Sequence, residues 1–309
     1  VAQVVCAGVI VADVLVQGAD ESVFQRDITR LPVRLMPGGD ACNQAANLAA
    51  LGVEAELLGK VGADGVGDVI LAELRRRGVK AERIVRTEKA PTSVSVVLIR
   101  PDGERSFIGT KDGTNSMLQR EDFDLEALSG AKIFSLGSLY GSRALTGELA
   151  GKLLRAAKAA GCFTVSDMMH GGRFPLEDAT KALEFVDLLL ANSEEARALT
   201  GADCAEEAAW ALHRAGAKSV LVKQGAKGCL LLEGKRFAAV PGFPAKTVDG
   251  TGAGDALAAG VIAGLLEGKP LAECARLGCA CGAAAVEQVG AFGAVRSRAL
   301  AEEKLAARM

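Results

Sequence analysis

Short apolar runs rich in branched side chains alternate along this chain with longer stretches of helical periodicity, and that alternation restricts the fold more than any other feature. Such a rhythm is satisfied when parallel strands form a central sheet and helices cover its faces, so the predicted class is α/β with a mostly parallel sheet. Strands are predicted at 4–11, 55–60, 133–136, 163–166, 186–191, 219–223 and 229–232, with helices at 41–51, 65–77, 144–160, 193–200 and 206–215. After Asp249 the pattern becomes helix upon helix, at 254–266, 271–288 and 298–307, where Ala283, Ala284 and Ala285 would allow close packing.

Two stretches break the rhythm. Residues 12–36 and 91–112 alternate apolar and polar side chains (Val14, Val16; Val33, Leu35; Val94, Val96, Leu98), with a turn signal at Pro101-Asp102-Gly103. They predict a small antiparallel sheet built from separated pieces of one domain spanning 1–309. That sheet is either a pair of hairpins at the edge of the large one or a lid over a site. A chain of 309 residues buries a core without staples.

Composition narrows the partners. With 36 basic and 38 acidic side chains there is no cationic surplus to call for nucleic acid. The longest apolar stretches, such as 188–191 and 261–266, fall far short of the roughly 20 residues of a membrane span. Eight scattered cysteines, with no segment reading as a signal peptide, predict buried free thiols in a cytoplasmic protein rather than a disulfide framework. Cys279 and Cys281 form C-x-C, and His170 and His213 are distant in sequence, so no zinc site is expected.

No G-x-x-x-x-G-K-[ST] loop occurs, and Gly252-Ala253-Gly254 comes too late for a dinucleotide fingerprint. That fragment belongs to Val248-Asp249-Gly250-Thr251-Gly252-Ala253-Gly254-Asp255, followed by an apolar helical run. Alternate glycines at a helix start gather backbone N–H groups into an anion cradle. Asp255 at its edge suits a general base for a hydroxyl, or simply caps the helix. Earlier, Pro37-Gly38-Gly39-Asp40-Ala41-Cys42-Asn43 opens an alanine-rich helix, with Asp40 and Asn43 offering a carboxylate and an amide to a polyol unless Asp40 is only a cap.

Together these two segments resemble the paired signatures of the ribokinase family, the PfkB-type carbohydrate kinases. The resemblance implies a large α/β domain with a β lid at 12–36 and 91–112, and transfer of the ATP γ-phosphate to a sugar hydroxyl. It implies further that Asp13, Gly39, Asp40 and Asn43 contact the sugar, that Asp255 is the base, and that the amides of Gly252, Ala253 and Gly254 form the anion hole. Asn192-Ser193-Glu194-Glu195 matches a motif whose Asn192 and Glu195 organise Mg2+ and phosphates, largely through water, although Asn192 read alone is a good helix cap. Lys223, Gly225 and Gly228 match the loop beside ATP; read alone, they make a β-turn. A potassium ion is implied beside the anion hole, held at Asp249 and Thr251 and by carbonyls of 289–291.

Asp40 replaces the lysine of ribokinases proper and favours a neutral, hydroxyl-rich sugar over an acid or a sugar phosphate. Arg105 and Phe107 resemble the lid stretch of fructokinase-like members, where they would approach the sugar; Phe107 would equally serve as lid packing. Asp167-Met168-Met169-His170 and Arg173 match in part a fructokinase-like D-x-N-x-R. The expected activity is that of a fructokinase- or ketodeoxygluconate-kinase-like sugar kinase. The alternatives are a nucleoside kinase, or a sugar- and nucleotide-binding regulator of the same fold. Lid strands often pair between subunits in this family, so a homodimer is expected.

Overall fold

The computed structural model describes residues 2–102, 104–169 and 174–307. Its strands are β1 (Val4–Ala7), β2 (Val11–Gln17), β3 (Val33–Gly38), β4 (Ala55–Leu58), β5 (Lys60–Gly62), β6 (Val85–Thr87) and β7 (Val94–Ile99). There follow β8 (Arg105–Gly109), β9 (Ile133–Leu139), β10 (Phe163–Met168), β11 (Leu188–Asn192), β12 (Ser219–Lys223), β13 (Gly228–Glu233) and β14 (Arg236–Pro241). The helices are α1 (Asp40–Ala50), α2 (Gly65–Arg76), α3 (Gly147–Ala159), α4 (Leu176–Leu183), α5 (Ser193–Thr200), α6 (Ala205–Arg214), α7 (Ala253–Leu266), α8 (Leu271–Ala285) and α9 (Arg298–Ala306).

Eight strands form one sheet in the order β14-β13-β12-β11-β10-β9-β1-β4. From β12 to β4 every pairing is parallel, and β13 and β14 extend the sheet antiparallel. The apolar runs are continuous because both faces are covered. In β1, Val4 and Cys6 enter one core while Val5 and Ala7 enter the other, and Leu190 and Leu189 of β11 divide the same way. Helices α1, α2, α7, α8 and α9 pack on the first face, and α3 to α6 on the second.

The predicted strand 4–11 is two strands. At Gly8 the chain leaves the large sheet, and a Cβ there would lie 2.7 Å from the Gly137 carbonyl oxygen, so the turn needs glycine. Beyond it β2 enters a second sheet, of order β3-β2-β7-β8. This small sheet is mixed rather than antiparallel, since β2 and β7 run parallel. They are joined by a crossover through α1, β4 and α2 instead of a tight turn. Strand β14 and helix α4 had no predicted counterpart. The alanines at 283–285 are buried as small packing residues, and the close approach of α7 and α8 rests also on Gly260 and Gly278: a Cβ on Gly260 would meet Gly278 Cα at 2.8 Å.

No helix among the described residues is long and apolar enough to cross a membrane. All eight cysteines are free.

Candidate active site

The carboxyl ends of the parallel strands, where ligands of open α/β sheets bind, converge on the first turns of α1 and α7. Asn43 Nδ2, in the first turn of α1, donates to Asp255 Oδ2 at 2.8 Å across 212 residues of sequence. The two segments that the sequence singled out therefore meet side chain to side chain. Asp167 at the end of β10 receives Lys223 Nζ, from the end of β12, at 2.7 Å on Oδ1. Gln44 Nε2 donates to its other oxygen at 3.3 Å, and Gln44 Oε1 accepts from Ser135 Oγ at 2.8 Å.

Four acids, Asp40, Asp167, Glu195 and Asp255, thus act on one buried ammonium. Burial first, then Asp40 and Asp167, hold Asp255 well above the usual carboxylate range, against the hydrogen bond from Asn43 and the charge of Lys223. Burial and Asp167 push Asp40 up to about 7, opposed by Lys223 and by hydrogen bonds from Ser138. Glu195 is likewise raised to about 7 by burial, with Lys223 opposing. Burial raises Asp13 to about 6. Burial disfavours the Lys223 cation, but Asp167, Glu195 and Asp255 outweigh it and keep the side chain charged. Opposed carboxylates around one cation are costly to fold and are characteristic of sites that move protons.

Gly252 caps α7 with φ +77°, and a Cβ there would lie 2.4 Å from Ala291 Cβ, so no other residue fits that turn. A Cβ on Gly254 would be 3.1 Å from Lys223 Nζ, which places the ammonium over the first turn of α7. The amides of this turn lack intrahelical partners and carry the positive end of the dipole. Ala253 N–H, the middle of the three predicted donors, makes a long 3.4 Å bond to the Gly250 carbonyl.

Beside the ammonium lies a cleft of about 360 Å³ lined by Asn192, Ser193, Glu194, Lys223, Gln224, Gly225 and Lys227. Asn192 and Glu195 cap α5 reciprocally: Asn192 Oδ1 accepts from Glu195 N and Glu195 Oε2 from Asn192 N, each at 2.8 Å. The cap reading of Asn192 therefore holds, and Glu195 keeps its other oxygen. Glu194 lines the cleft and Glu195 does not, so the carboxylate facing the cleft is that of Glu194. Magnesium arriving with a nucleotide takes one or two carboxylates plus water and phosphate, which these two neighbouring acids fit. No cluster of three or more potential ligand side chains occurs among the described residues. Gly228 has a packing reason instead, because a Cβ would stand 2.0 Å from the Val240 carbonyl oxygen.

On the small sheet, Phe107 pairs with Val97 and Val97 with Leu15, and Arg105 with Ile99 and Ile99 with Gln17. Cross-strand partners share a face, so Asp13, Leu15, Arg105 and Phe107 all belong to the face turned to the large domain. Leu15 and Val97 are buried there, whereas Phe107 is 67% exposed. Gly38 leaves room for Asp13, whose Oδ2 would lie 2.0 Å from a Cβ at that position, while Gly39 is pressed against the Val9 carbonyl. Arg105 lies against Asp249 rather than free above Asp13, with Nη2 2.6 Å from Oδ1. The same oxygen accepts Thr251 N at 2.9 Å and Thr251 Oγ1 at 2.6 Å, and Oδ2 accepts Gly290 N at 2.9 Å. The Arg105 guanidinium neutralises this carboxylate and three donors crowd its Oδ1, which does not fit the role of a potassium ligand predicted for Asp249.

Residues 2–297 match the family model described as pfkB family carbohydrate kinase. The chain belongs to that family. The kinase is 30% identical over 282 residues to fructokinase-2 of Oryza sativa subsp. japonica, covering 86% of this chain and 84% of the relative. It is 32% identical over 274 residues to the fructokinase of Solanum tuberosum, with 84% and 83% covered. Among solved structures it resembles Arabidopsis thaliana ribokinase complexed with ribose and ATP (TM-score 0.83, 27% identity, 98% of each chain covered). It also resembles Xylella fastidiosa fructokinase with bound ATP (TM-score 0.84, 25% identity, 100% of this chain and 99% of that one).

Sequence reading of the kinase missed the Gln44–Asp167–Lys223 connection. Asp167 at the end of a predicted strand was the available signal, but its pairing with Lys223 crosses an intervening strand and is invisible along the chain. His170 and Arg173, which completed the partial D-x-N-x-R match, lie outside the described residues, as does Gly103.

Proposed function

We propose that this carbohydrate kinase transfers the γ-phosphoryl group of ATP to a hydroxyl of a small neutral sugar, with fructose the first candidate. The observation that carries it is the Asn43–Asp255 hydrogen bond, which sets an amide for the sugar against a carboxylate base beside an anion hole. Asp13 and Asp40 would bind sugar hydroxyls, with Phe107 over one face of the ring and the small sheet acting as a lid that excludes water. Asp255 takes the hydroxyl proton as the oxygen bonds to the γ-phosphorus; the bond to the β,γ-bridging oxygen breaks, and ADP departs with that electron pair. The first amides of α7 and the Lys223 ammonium stabilise charge on the moving group. Magnesium, held through Glu195 and water when bound, would neutralise the phosphates.

The relatives named fructokinase support this substrate class, and the ATP bound in the two structural neighbours supports ATP as the donor. Asp40 and Asp13 add negative charge beside the acceptor, which disfavours an acid such as ketodeoxygluconate. ADP release measured with fructose, ribose, ketodeoxygluconate, adenosine and inosine is expected to show kcat/KM for fructose at least about tenfold above the others, the span of one or two polar contacts. A higher value with a nucleoside would make this a nucleoside kinase, and binding of sugar and ATP without ADP release would make it a regulator. Eight free cysteines suit the reducing cytoplasm as its location.

The outer face of the small sheet carries Val14, Val16, Val33, Leu35 and Ile108, with Val33, Leu35 and Ile108 more than half exposed. The outer edges of β3 and β8 meet no further strand among the described residues, which favours a dimer through this sheet. Sedimentation is expected to give a dimer that Leu35→Glu converts to monomer; a monomeric parent would reject the interface.

Asp40 carries a stability cost. Its folded-state pKa of about 7 exceeds the ordinary value, so folding binds its proton more tightly, and stability falls as pH rises through 7. Asp40→Asn is expected to raise Tm by roughly 2 °C at about pH 8, with little change near pH 4, while raising KM for the sugar. An equal Tm change at both values would contradict this electrostatic origin.

A further inference from the structure

We propose that Arg105 supplies, from the small sheet, the positive charge that a monovalent cation would otherwise bring to the loop ahead of α7, so that this kinase works without potassium. Asp249 is the hinge of that loop. Its Oδ1 fixes the backbone and hydroxyl of Thr251, the residue before Gly252, and its Oδ2 fixes the amide of Gly290 on the facing segment. The carboxylate is buried, and a buried carboxylate needs a counter-charge. The Arg105 guanidinium provides it at 2.6 Å, and the same nitrogen would stand 3.8 Å from a Cβ on Gly250, close over the loop backbone. Three donors already share the lone pairs of Oδ1, one of them the guanidinium that supplies the counter-charge.

A difference in control follows. A diffusible ion stays with the loop whatever the lid does, but Arg105 rides on β8, on the face that also carries Asp13 and Phe107. The charge reaches Asp249 only when the small sheet is down. Among the described residues Arg105 Nε is buried without a hydrogen-bond partner, so the Nη2 bond to Asp249 is what holds the guanidinium in place. Arg105 is in this reading a positioning residue for the Gly252–Gly254 amides, acting through Asp249 and Thr251.

The test compares potassium chloride with choline chloride at about 100 mM, where ionic strength is equal and only ion identity differs. Wild-type turnover is expected to agree within about twofold in the two salts, and Tm within about 1 °C, because the pair leaves no charge to be satisfied. Arg105→Ala is expected to lose about 10²-fold in turnover in choline chloride, as a buried acid loses its partner, and to regain at least about tenfold with potassium, with a matching rise in Tm. Arg105→Lys, which keeps the charge, should remain insensitive to potassium. Strong activation of the wild type by potassium, or an alanine variant whose turnover and Tm ignore it, overturns the proposal. The turnover arm rests on the sugar-kinase reading, whereas the Tm arm stands without it.

Discussion

Asp255→Asn is expected to lower kcat by about 10²–10⁴-fold while leaving the affinity for ATP within about twofold, the loss belonging to a positioned proton acceptor. The asparagine is nearly isosteric and can keep a hydrogen bond to Asn43, so packing at the first turn of α7 survives. The cleft proposed for the nucleotide, lined by Asn192, Ser193, Glu194, Lys223, Gln224, Gly225 and Lys227, does not include it. What is lost is the capacity to take the hydroxyl proton. Were Asp255 only an acid at a helix N-terminus, the change would cost some tenths of a kcal/mol in stability, about 0.3–1 kcal/mol, and leave turnover intact. Steady-state kinetics with ATP titration separate the two, and near-normal kcat would remove Asp255 from the role. A pH profile adds a sign. The ionised form is the active one, so activity rises with pH, and burial with Asp40 and Asp167 places that limb well above the usual carboxylate range. The limb should vanish in the asparagine variant.

Lys223→Met is expected to be the second largest loss, about 10²–10³-fold in kcat, comparable to removing a main donor from an anion hole. The ammonium lies over Gly254 and bonds to Asp167, so it faces both the developing phosphoryl charge and the acids that bear on Asp255. Removing it should also move the pH limb upward, because Lys223 is one of the groups that lower the Asp255 pKa. The buried Asp167 left behind would destabilise the fold by about 3–5 kcal/mol. The double variant Asp167→Asn, Lys223→Met removes that unpaired charge. If it recovers Tm but not turnover, the lysine acts on the reaction; recovery of both would make the pair structural.

Period and turn chemistry explain why the large sheet could be read along the chain. Residues 219–223 and 193–200 were placed to the residue, since each is an uninterrupted local pattern. The division of 4–11 at Gly8 could not be read, because its cause is the Gly137 carbonyl on another strand. The parallel pairing of β2 with β7 likewise depends on how the crossover returns, not on either strand's alternation. At the site, glycine spacing marked the anion cradle, and Asp255, Asp40 and Asn43 stood beside it in sequence. Asn192 and Glu195 satisfied a local capping pattern as well as the motif that the family resemblance links to magnesium and phosphates, and the structure shows the cap.

By itself the sequence determined the α/β class, the strands that carry the core and the two segments that must meet, because these follow from local periodicity and from residue types with few alternative uses. Only the tertiary structure decided which charges face one another. The Lys223–Asp167 bond, the three other acids around it and the Arg105–Asp249 pair across 144 residues join side chains from different elements. Burial and distance, which set both the pKa values and the counter-charges, exist only once the chain is folded.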